Sequence, residues 1–174
     1  MTFRFKRLFE ETRSRLRAHP GRRRVSIDVE SRQVAGFRSE ARVRDFTVTV
    51  DQPRAFGGED SAPKPTEYVL AALAACQEVT YRLYADALEI PLDDVRVSIT
   101  GWSDPHGFLG LDDAARPGLQ EVKGTVFLTS SAEPEAIARL QEAVERHCPV
   151  LDDLRSPVAV TMTVETRSTV RPEE

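Results

Sequence analysis

Two cysteines, Cys76 and Cys148, are the side chains of this sequence best suited to carry chemistry. Thiols on two separate elements can form a redox pair, in which a peroxide oxidises one thiol to a sulfenic acid and the other thiol condenses with it to a disulfide. Two inert thiols are the alternative, because free cysteine is among the most buried residue types. The spacing of the two residues alone leaves both interpretations open.

Cys148 stands at a predicted break between two helices. Proline at position 149 disfavours helical backbone at the cysteine and suits the first residue of a new helix, which we expect to run to Leu154. If Cys148 caps this short helix, the backbone N–H groups and the helix dipole would favour its thiolate.

Other chemistries have little support in the sequence. The three histidines and two cysteines show neither CxxC nor HxxxH spacing, so we expect no metal site. There is no serine-centred nucleophile elbow. The pair Gly57-Gly58 lacks the pattern of a phosphate-binding loop and is interpreted as a conformational device before a helix. No cofactor is predicted.

Cys76 lies inside an apolar stretch that begins at Pro65 and reaches about Leu88. Proline suits the first turn of a helix, and the residues that follow are good helix formers without an internal glycine or proline. Charge in its second half falls on one stripe, at Glu78, Arg82 and Asp86. We predict a central helix that is buried over most of its circumference and is too short and too charged to cross a membrane.

The remaining periodicities predict an α+β domain around this helix. They indicate a basic helix over 3–18, a β-meander with strands at 25–29 and 43–50, a long hairpin with strands at 95–102 and 122–129, a helix before Cys148 on which Ile137, Leu140 and Val144 recur, and a last strand at 158–164. Ser131 is the candidate cap of that helix, while Ala35-Gly36 and Ser39-Glu40 are candidate turns or bulges.

These elements divide the chain into a basic extension at 1–24, a single domain at 25–168 and a tail at 169–174. A helix that is apolar on nearly every side needs more cover than one small meander supplies, so we expect an obligate homodimer.

The charge distribution restricts the partners. The net charge of −4 combines +7 in residues 1–24 with −11 in the rest of the chain, and an acidic body argues against nucleic-acid binding. We expect the basic helix to dock on the acidic body or on a second subunit rather than on an anionic surface. Two cysteines do not make a disulfide scaffold, and the N-terminus lacks the apolar core of a secretory signal, so we expect a cytoplasmic protein.

Two motifs resemble those of the OsmC/Ohr superfamily. The first runs through Val50-Asp51-Gln52-Pro53 and Gly57-Gly58 to Pro65-x-Glu67-x-x-Leu70-Ala71-Ala72-Leu73-Ala74-Ala75-Cys76. The second is His147-Cys148-Pro149-Val150. With the strands between them, the motifs cover about residues 25–165 and leave the N-terminal helix outside.

This resemblance implies an OsmC-like α+β fold, in which antiparallel sheets surround central apolar helices in an intertwined homodimer with active sites at the subunit interface. It also implies thiol-dependent reduction of peroxides, with a preference for organic hydroperoxides. Cys76 would be the peroxidatic thiol, Cys148 the resolving thiol, and a cellular dithiol the reductant.

The pattern departs from the peroxidase branches of the superfamily at one position. In those branches a glutamate directly follows the proline and orients an arginine beside the reactive thiol. Here Thr66 follows Pro65, and the carboxylate comes one residue later, at Glu67. On a helix this offset of one residue rotates the carboxylate by about 100° around the axis. The offset resembles the less characterised OsmC-like branch. Glu67 is either the carboxylate that holds this arginine or a first-turn acid that complements the helix dipole. The candidate arginines are Arg32, Arg38, Arg42 and Arg44.

Our leading hypothesis is a thiol peroxidase that acts on organic hydroperoxides, with hydrogen peroxide as a second candidate substrate. The alternative is a non-catalytic dimer with structural cysteines that holds an apolar small molecule. Its interface pocket would be lined by Tyr81, Tyr84, Trp102 and Phe108.

Overall fold

The structure is a computed structural model, which describes residues 3–21, 24–156 and 158–167. Its helices and strands follow the chain as α1 (Lys6–Ala18), β1 (Glu30–Ala35), β2 (Arg38–Val43), β3 (Phe46–Val50), α2 (Pro65–Ala87), β4 (Asp94–Ser103), α3 (Pro105–Phe108), β5 (Leu119–Thr129), α4 (Pro134–His147) and α5 (Pro149–Arg155). A single 3₁₀ turn, Arg54–Phe56, lies between β3 and α2 in the described residues.

Helix α2 confirms the predicted central helix. Pro65 occupies its first turn, where the missing N–H costs nothing, and the Glu67 carboxylate accepts a hydrogen bond of 3.0 Å from the backbone N–H of Lys64. The carboxylate therefore stabilises the start of the helix by occupying an otherwise unpaired donor. The interior has neither glycine nor proline, so the helix continues without a break to Ala87.

Strands β1, β2 and β3 form the predicted meander, with antiparallel pairing between neighbours. Gly36 has a φ of 52° in the first turn, which glycine adopts without strain. The first strand was predicted at 25–29 but begins at Glu30, and Ser39-Glu40, predicted as a turn or bulge, lies inside β2. Residues 25–29 have no neighbouring strand in the described chain, so their alternating apolar side chains stay exposed.

Strands β4 and β5 form the predicted long hairpin, which packs on α2. Gly101 of β4 allows this approach, because a Cβ there would lie 3.0 Å from a methyl group of Leu70. The connection carries the short helix α3 and exposes three bulky apolar side chains, Phe108, Leu109 and Leu111.

The core lies between α2, α4 and the start of β4. Its buried members are Tyr81, Ala85, Ile90, Leu92, Leu140, Val144 and Cys148. Leu140 and Val144 are fully buried, which confirms the predicted apolar stripe of α4. The predicted cap at Ser131 is wrong, because α4 begins three residues later with Glu133 as its N-cap and Pro134 in its first turn.

The predicted last strand does not form in the described part of the chain. Residues 158–167 have no regular secondary structure, and Val158, Val160, Met162 and Val164 are all exposed. A strand needs a neighbour for its backbone groups, and this segment pairs with none of the described strands. The predicted tail at 169–174 lies outside the described residues, and the predicted domain boundaries stay a prediction.

A buried carboxylate, Asp51, organises the loop that leads into α2. Its oxygens accept hydrogen bonds from the backbone N–H groups of Gln52, Glu59 and Ser61 and from the Ser61 hydroxyl. These bonds, those from Ser61 above all, lower the pKa of Asp51 from 3.8 to about 2. Gly58 is required in this loop, because a Cβ there would overlap the carbonyl oxygen of Gln52.

Candidate functional site

The two thiols meet where α2 passes the junction of α4 and α5. Cys76 lies in the middle of α2, and Cys148 is the residue between the last turn of α4 and the first turn of α5. The two Sγ atoms are 3.4 Å apart, within hydrogen-bonding distance of each other, and both cysteines are free thiols. Since a disulfide has an S–S length of about 2.05 Å, the pair is separated from a covalent bond by a movement of about 1.4 Å.

The two thiols differ in exposure. Cys148 belongs to the buried core and is 1% exposed, whereas Cys76 is partly exposed. A reagent from solvent therefore reaches Cys76 before Cys148.

Opposing effects act on the Cys76 thiol. Burial raises its pKa, the backbone N–H of Val150 lowers it by hydrogen bonding, and the neighbouring Cys148 raises it again. The net direction is upward, so this chain alone disfavours the Cys76 thiolate. No cationic side chain of the described residues is among the groups that shift this pKa.

The first turn of α5 acts on the Cys76 thiol, whereas the sequence predicted an effect on Cys148. Cys148 is the N-cap residue of α5, as expected, but its side chain makes no capping hydrogen bond. The backbone N–H of Val150, in the first turn, instead lowers the pKa of Cys76. The backbone of Cys148 continues from α4, with its N–H donating to Val144 O at 2.9 Å, and this directs the Cys148 side chain into the core rather than over α5.

Glu67 lies away from the thiol pair within this chain. It is nine residues before Cys76 on the same helix, about 13 Å along the helix axis. Its carboxylate makes the helix-start contact with Lys64 and forms no ion pair with any described residue. The catalytic role of Glu67 stays a prediction.

The candidate arginines lie on or next to the meander. Arg32 forms an exposed ion pair of 3.4 Å with Glu40, and Arg44 lies over the ring of Phe46 in the turn between β2 and β3. Arg32 and Arg42 line an open depression of about 360 Å³ on this sheet, together with Glu30 and Glu40. Neither Glu67 nor Cys76 is among the residues that line it.

The four aromatic residues of the alternative binding pocket are dispersed. Tyr81 is buried in the core, and Tyr84 is half-buried under α1. Trp102 and Phe108 are exposed on the hairpin and its connection. An apolar pocket lined by all four residues stays a prediction.

One cluster beside the thiols escaped the sequence analysis. The ring of Tyr84 stacks on the imidazole of His147, the residue before Cys148, and the ring of Phe9 in α1 meets Tyr84 edge-on. The signals available were the position of Tyr84 eight residues after Cys76 and the adjacency of His147 and Cys148. Neither signal indicates which ring meets which.

Two classes of site or segment are absent from the part of the chain that the structure describes. It contains no group of three or more histidine, cysteine or acidic side chains placed to hold a metal ion. None of its helices combines the length and the apolar character needed to span a membrane.

A family model described as OsmC-like protein matches residues 58–163 of this chain. The matched region contains α2, the hairpin, α4 and α5, and therefore both thiols, whereas α1 and the meander precede it. No curated protein sequence matches the chain significantly.

Solved structures share the fold at low sequence identity. An OsmC-like protein from Mycoplasma pneumoniae is similar with a TM-score of 0.65 and 22% identity, over 76% of this chain and 89% of that chain. An organic hydroperoxide resistance protein OsmC from Legionella pneumophila has a TM-score of 0.56 and 23% identity, over 76% and 90%. The organic hydroperoxide resistance protein OhrB of Bacillus subtilis has a TM-score of 0.51 and 17% identity, over 76% and 93%.

These likenesses confirm the predicted OsmC-like α+β fold, and the family match spans more than half of the sequence. The chain therefore belongs to the OsmC-like protein family.

Proposed function

We propose that this protein is a thiol peroxidase that reduces organic hydroperoxides through Cys76 and Cys148. The observation that carries the proposal is the distance of 3.4 Å between the two Sγ atoms, which come from elements 72 residues apart in sequence. A two-cysteine cycle requires the two sulfurs to meet after the first thiol is oxidised, and at this distance a short movement brings them together.

The proposed cycle has two chemical steps. The Cys76 thiolate attacks the distal oxygen of the hydroperoxide, the O–O bond breaks, and the leaving alkoxide takes a proton to become an alcohol. The resulting sulfenic acid on Cys76 is then attacked by the Cys148 sulfur, which forms the S–S bond and releases the hydroxyl as water. The two thiols are oxidised by two electrons, the peroxide is reduced by two, and a cellular dithiol restores the thiols by exchange.

Exposure supports the assignment of Cys76 as the attacking thiol. Cys76 is open to solvent on one side, and it receives the Val150 N–H, which favours its charged form. Cys148 is covered by the core and lies within a short movement of the Cys76 sulfur. This arrangement suits a resolving thiol, which meets the sulfenic acid and never the peroxide.

A nearby cation is required to complete the site, because the pKa of Cys76 in this chain is raised. We infer that a second copy of the chain supplies it across the exposed face of α2, formed by Val69, Ala72, Ala75 and Val79. At 100° per residue, Cys76 lies between Ala72 and Val69 on this face, about 40° from Ala72 and about 20° from Val69, which is at its edge. A partner seated there lies next to the reactive sulfur.

Two further segments support a homodimer. Residues 25–29 and 158–164 alternate apolar and polar side chains, as half-buried strands do, yet their apolar side chains are exposed in the single chain. A second copy would give these segments a neighbour and α2 its missing cover. The cation would be one of Arg32, Arg38, Arg42 and Arg44, held by Glu67.

Two proteins of similar structure support the substrate class. The proteins from Legionella pneumophila and Bacillus subtilis are both described as organic hydroperoxide resistance proteins. For this chain we therefore propose organic hydroperoxides as the preferred substrates, ahead of hydrogen peroxide.

The test is a single-turnover oxidation of the full-length protein with one equivalent of cumene hydroperoxide, followed by intact mass measurement without reductant. The proposal predicts the loss of two hydrogen atoms per chain and the formation of one equivalent of cumyl alcohol. Two free thiols after exposure would contradict it. The same experiment with hydrogen peroxide measures the preference for organic hydroperoxides over hydrogen peroxide.

Two variants assign the roles of the thiols. Cys148→Ser should stop at a sulfenic acid on the remaining thiol, which dimedone traps, and Cys76→Ser should leave the peroxide unconsumed. The opposite pattern would exchange the two roles.

A further inference from the structure

Helix α1 and three aromatic rings form a continuous contact that ends beside Cys148. The ring centroids of Phe9 and Tyr84 are 5.4 Å apart with an angle of 69° between the planes, an edge-on contact. Those of Tyr84 and His147 are 5.2 Å apart with an angle of 2°, an offset stack. Both geometries are favourable arrangements of aromatic pairs.

Polar contacts anchor the start of α1 to the last turn of α2 and to the residues that follow it. The backbone N–H of Phe5, which precedes the helix, donates to the Asp86 carboxylate at 2.7 Å, and Asp86 is only 6% exposed. The Lys6 ammonium pairs with Glu89 at 2.8 Å. The half of α1 that carries Phe9 is therefore held over Tyr84, whereas residues 13–18 are exposed.

The stack reaches the thiol pair through the last turn of α4. His147 is the final residue of α4, and Cys148 follows it with its backbone N–H bonded to Val144 O at 2.9 Å. The Cys148 backbone is thus held from both sides, by Val144 O in α4 and by the Asp152 N–H of α5, which donates to Cys148 O at 3.1 Å. Because Pro149 lacks an N–H, the hydrogen-bond ladder of α4 does not continue into α5, and the last turn of α4 sets how Cys148 lies against α2.

Small errors in this position matter to the proposed reaction. The Cys148 sulfur is 3.4 Å from Cys76 and must move about 1.4 Å to bond to it. A misplacement of 1 Å between reacting groups can cost about 100-fold in rate.

We propose that Phe9, Tyr84 and His147 are positioning residues, which hold the end of α4 against α2 so that Cys148 meets the sulfenic acid of Cys76. The inference rests on the proposed peroxidase function. It assigns a role to α1, which lies outside the matched family region. None of the three rings reacts; they set the rate of disulfide formation and leave the rate of peroxide attack unchanged.

The experiment separates these two rates in the full-length protein. Rapid mixing with cumene hydroperoxide, quenched with dimedone at successive times, gives the rate of Cys76 oxidation and the rate at which the sulfenic acid becomes a disulfide. For Tyr84→Leu, which removes the ring, we expect disulfide formation to slow by about tenfold. We expect the oxidation rate to change by no more than about twofold.

Matched variants distinguish loss of the aromatic contact from a general loss of packing in the protein. Tyr84→Phe keeps the stacking ring and should retain the wild-type rate of disulfide formation. Phe9→Ala should slow this step, whereas Leu8→Ala, at an exposed position on the same helix, should not. Circular dichroism confirms that each variant is folded, and Phe9→Ala carries the test if Tyr84→Leu does not fold, since Phe9 lies outside the buried core.

A second measurement makes the result independent of peroxide. The equilibrium between the reduced pair and its disulfide in dithiothreitol buffers reports how well the sulfurs are placed, and Tyr84→Leu should shift it about tenfold towards the reduced pair. An unchanged equilibrium and an unchanged rate of disulfide formation in both Tyr84→Leu and Phe9→Ala would overturn the inference. A wild-type protein that forms the disulfide in these buffers but does not react with hydroperoxides would instead contradict the proposed function.

Discussion

Helix α2 presents two faces that are similar in apolar character and differ in cover. On one face Leu73, Tyr81 and Ala85 are buried under α4, the hairpin and the residues that follow α2. On the other face Val69, Ala72 and Val79 are exposed, and Val79 has 66% of its surface open. The same helix is thus a core element on one side and an uncovered apolar surface on the other.

This difference locates the candidate site. Cys76 lies at the boundary of the two faces, with Cys148 on the covered side and the exposed face on the other. The covered side supplies the second thiol and the Val150 N–H. The exposed side is where we place a second copy and its cation.

The largest expected effect comes from the covered face. Leu140→Ala should lower the free energy of unfolding by about 2–5 kcal/mol, because Leu140 is fully buried between α4 and α2 and its loss leaves a cavity. Urea denaturation measures this change. Leu16→Ala, at an exposed position of α1, is the control and should change it by less than about 0.5 kcal/mol. Similar values for both variants would mean that α4 does not form the core described.

A change on the exposed face should weaken the dimer rather than the fold of the subunit. Val79→Glu places a carboxylate on the surface that we propose is buried in the dimer, so the dimer should weaken by at least about 100-fold while each subunit stays folded. Size-exclusion chromatography with light scattering at micromolar concentration measures the mass. Leu8→Glu, at an exposed position of α1 rather than α2, should leave the dimer intact. A wild-type protein that elutes as a monomer would contradict the difference between the two faces.

A smaller effect is expected in the loop that leads into α2. The hydrogen bonds from Ser61, Gln52 and Glu59 hold the pKa of Asp51 at about 2, below its ordinary 3.8, so its charged form stabilises the fold. This stabilisation is fully present above about pH 4 and is lost as the pH falls through about 2. Asp51→Asn should therefore melt several degrees below the wild type at pH 7.

The pH dependence provides the control for this prediction. Between pH 4 and pH 2 the melting temperature of the wild type should approach that of Asp51→Asn, because the carboxylate of the wild type becomes protonated. Asp113→Asn, at an exposed position of the hairpin connection, should melt like the wild type at each pH. A constant difference between wild type and Asp51→Asn across this range would show that charge on Asp51 is not the cause.

The smallest effect is expected at Glu67. If this carboxylate only completes the start of α2, Glu67→Gln should cost about 0.3–1 kcal/mol of stability and leave the peroxide rate unchanged. If it holds an arginine of the second copy beside Cys76, the rate should fall while the fold remains intact. Melting temperature and peroxide rate, measured on the same sample, distinguish the two roles. We expect the rate to fall.

The elements that the chain covers by itself could be predicted from the sequence. Proline at position 65, the uninterrupted helix formers and the spacing of Leu140 and Val144 predict α2 and α4 because local preference and burial agree there. The strands expected at 25–29 and 158–164 do not form in the residues that the structure describes. The alternation of apolar and polar side chains in these segments suits a strand with one buried face. It does not provide the neighbouring strand that a sheet requires.

The candidate site was predictable only in part. The pairing of Cys76 with Cys148 followed from a resemblance, since the spacing of two cysteines does not indicate whether they meet. Which thiol receives the first turn of α5 depends on the direction of the Cys148 side chain, and this is set by packing against the core. The stack of Tyr84 on His147 depends on how α4 docks on α2, which periodicity does not describe.

The most direct test of the account is the pKa of the Cys76 thiol in the assembled protein. Cys148→Ser leaves Cys76 as the single thiol, and its rate of alkylation as a function of pH gives the pKa. If a second copy supplies a cation across the exposed face of α2, the pKa should lie well below about 8.5 and should rise when Val79→Gln, an uncharged polar change on this face, is added. A value above about 8.5 in Cys148→Ser, unchanged when Val79→Gln is added, would contradict the account and leave Cys76 a packing residue.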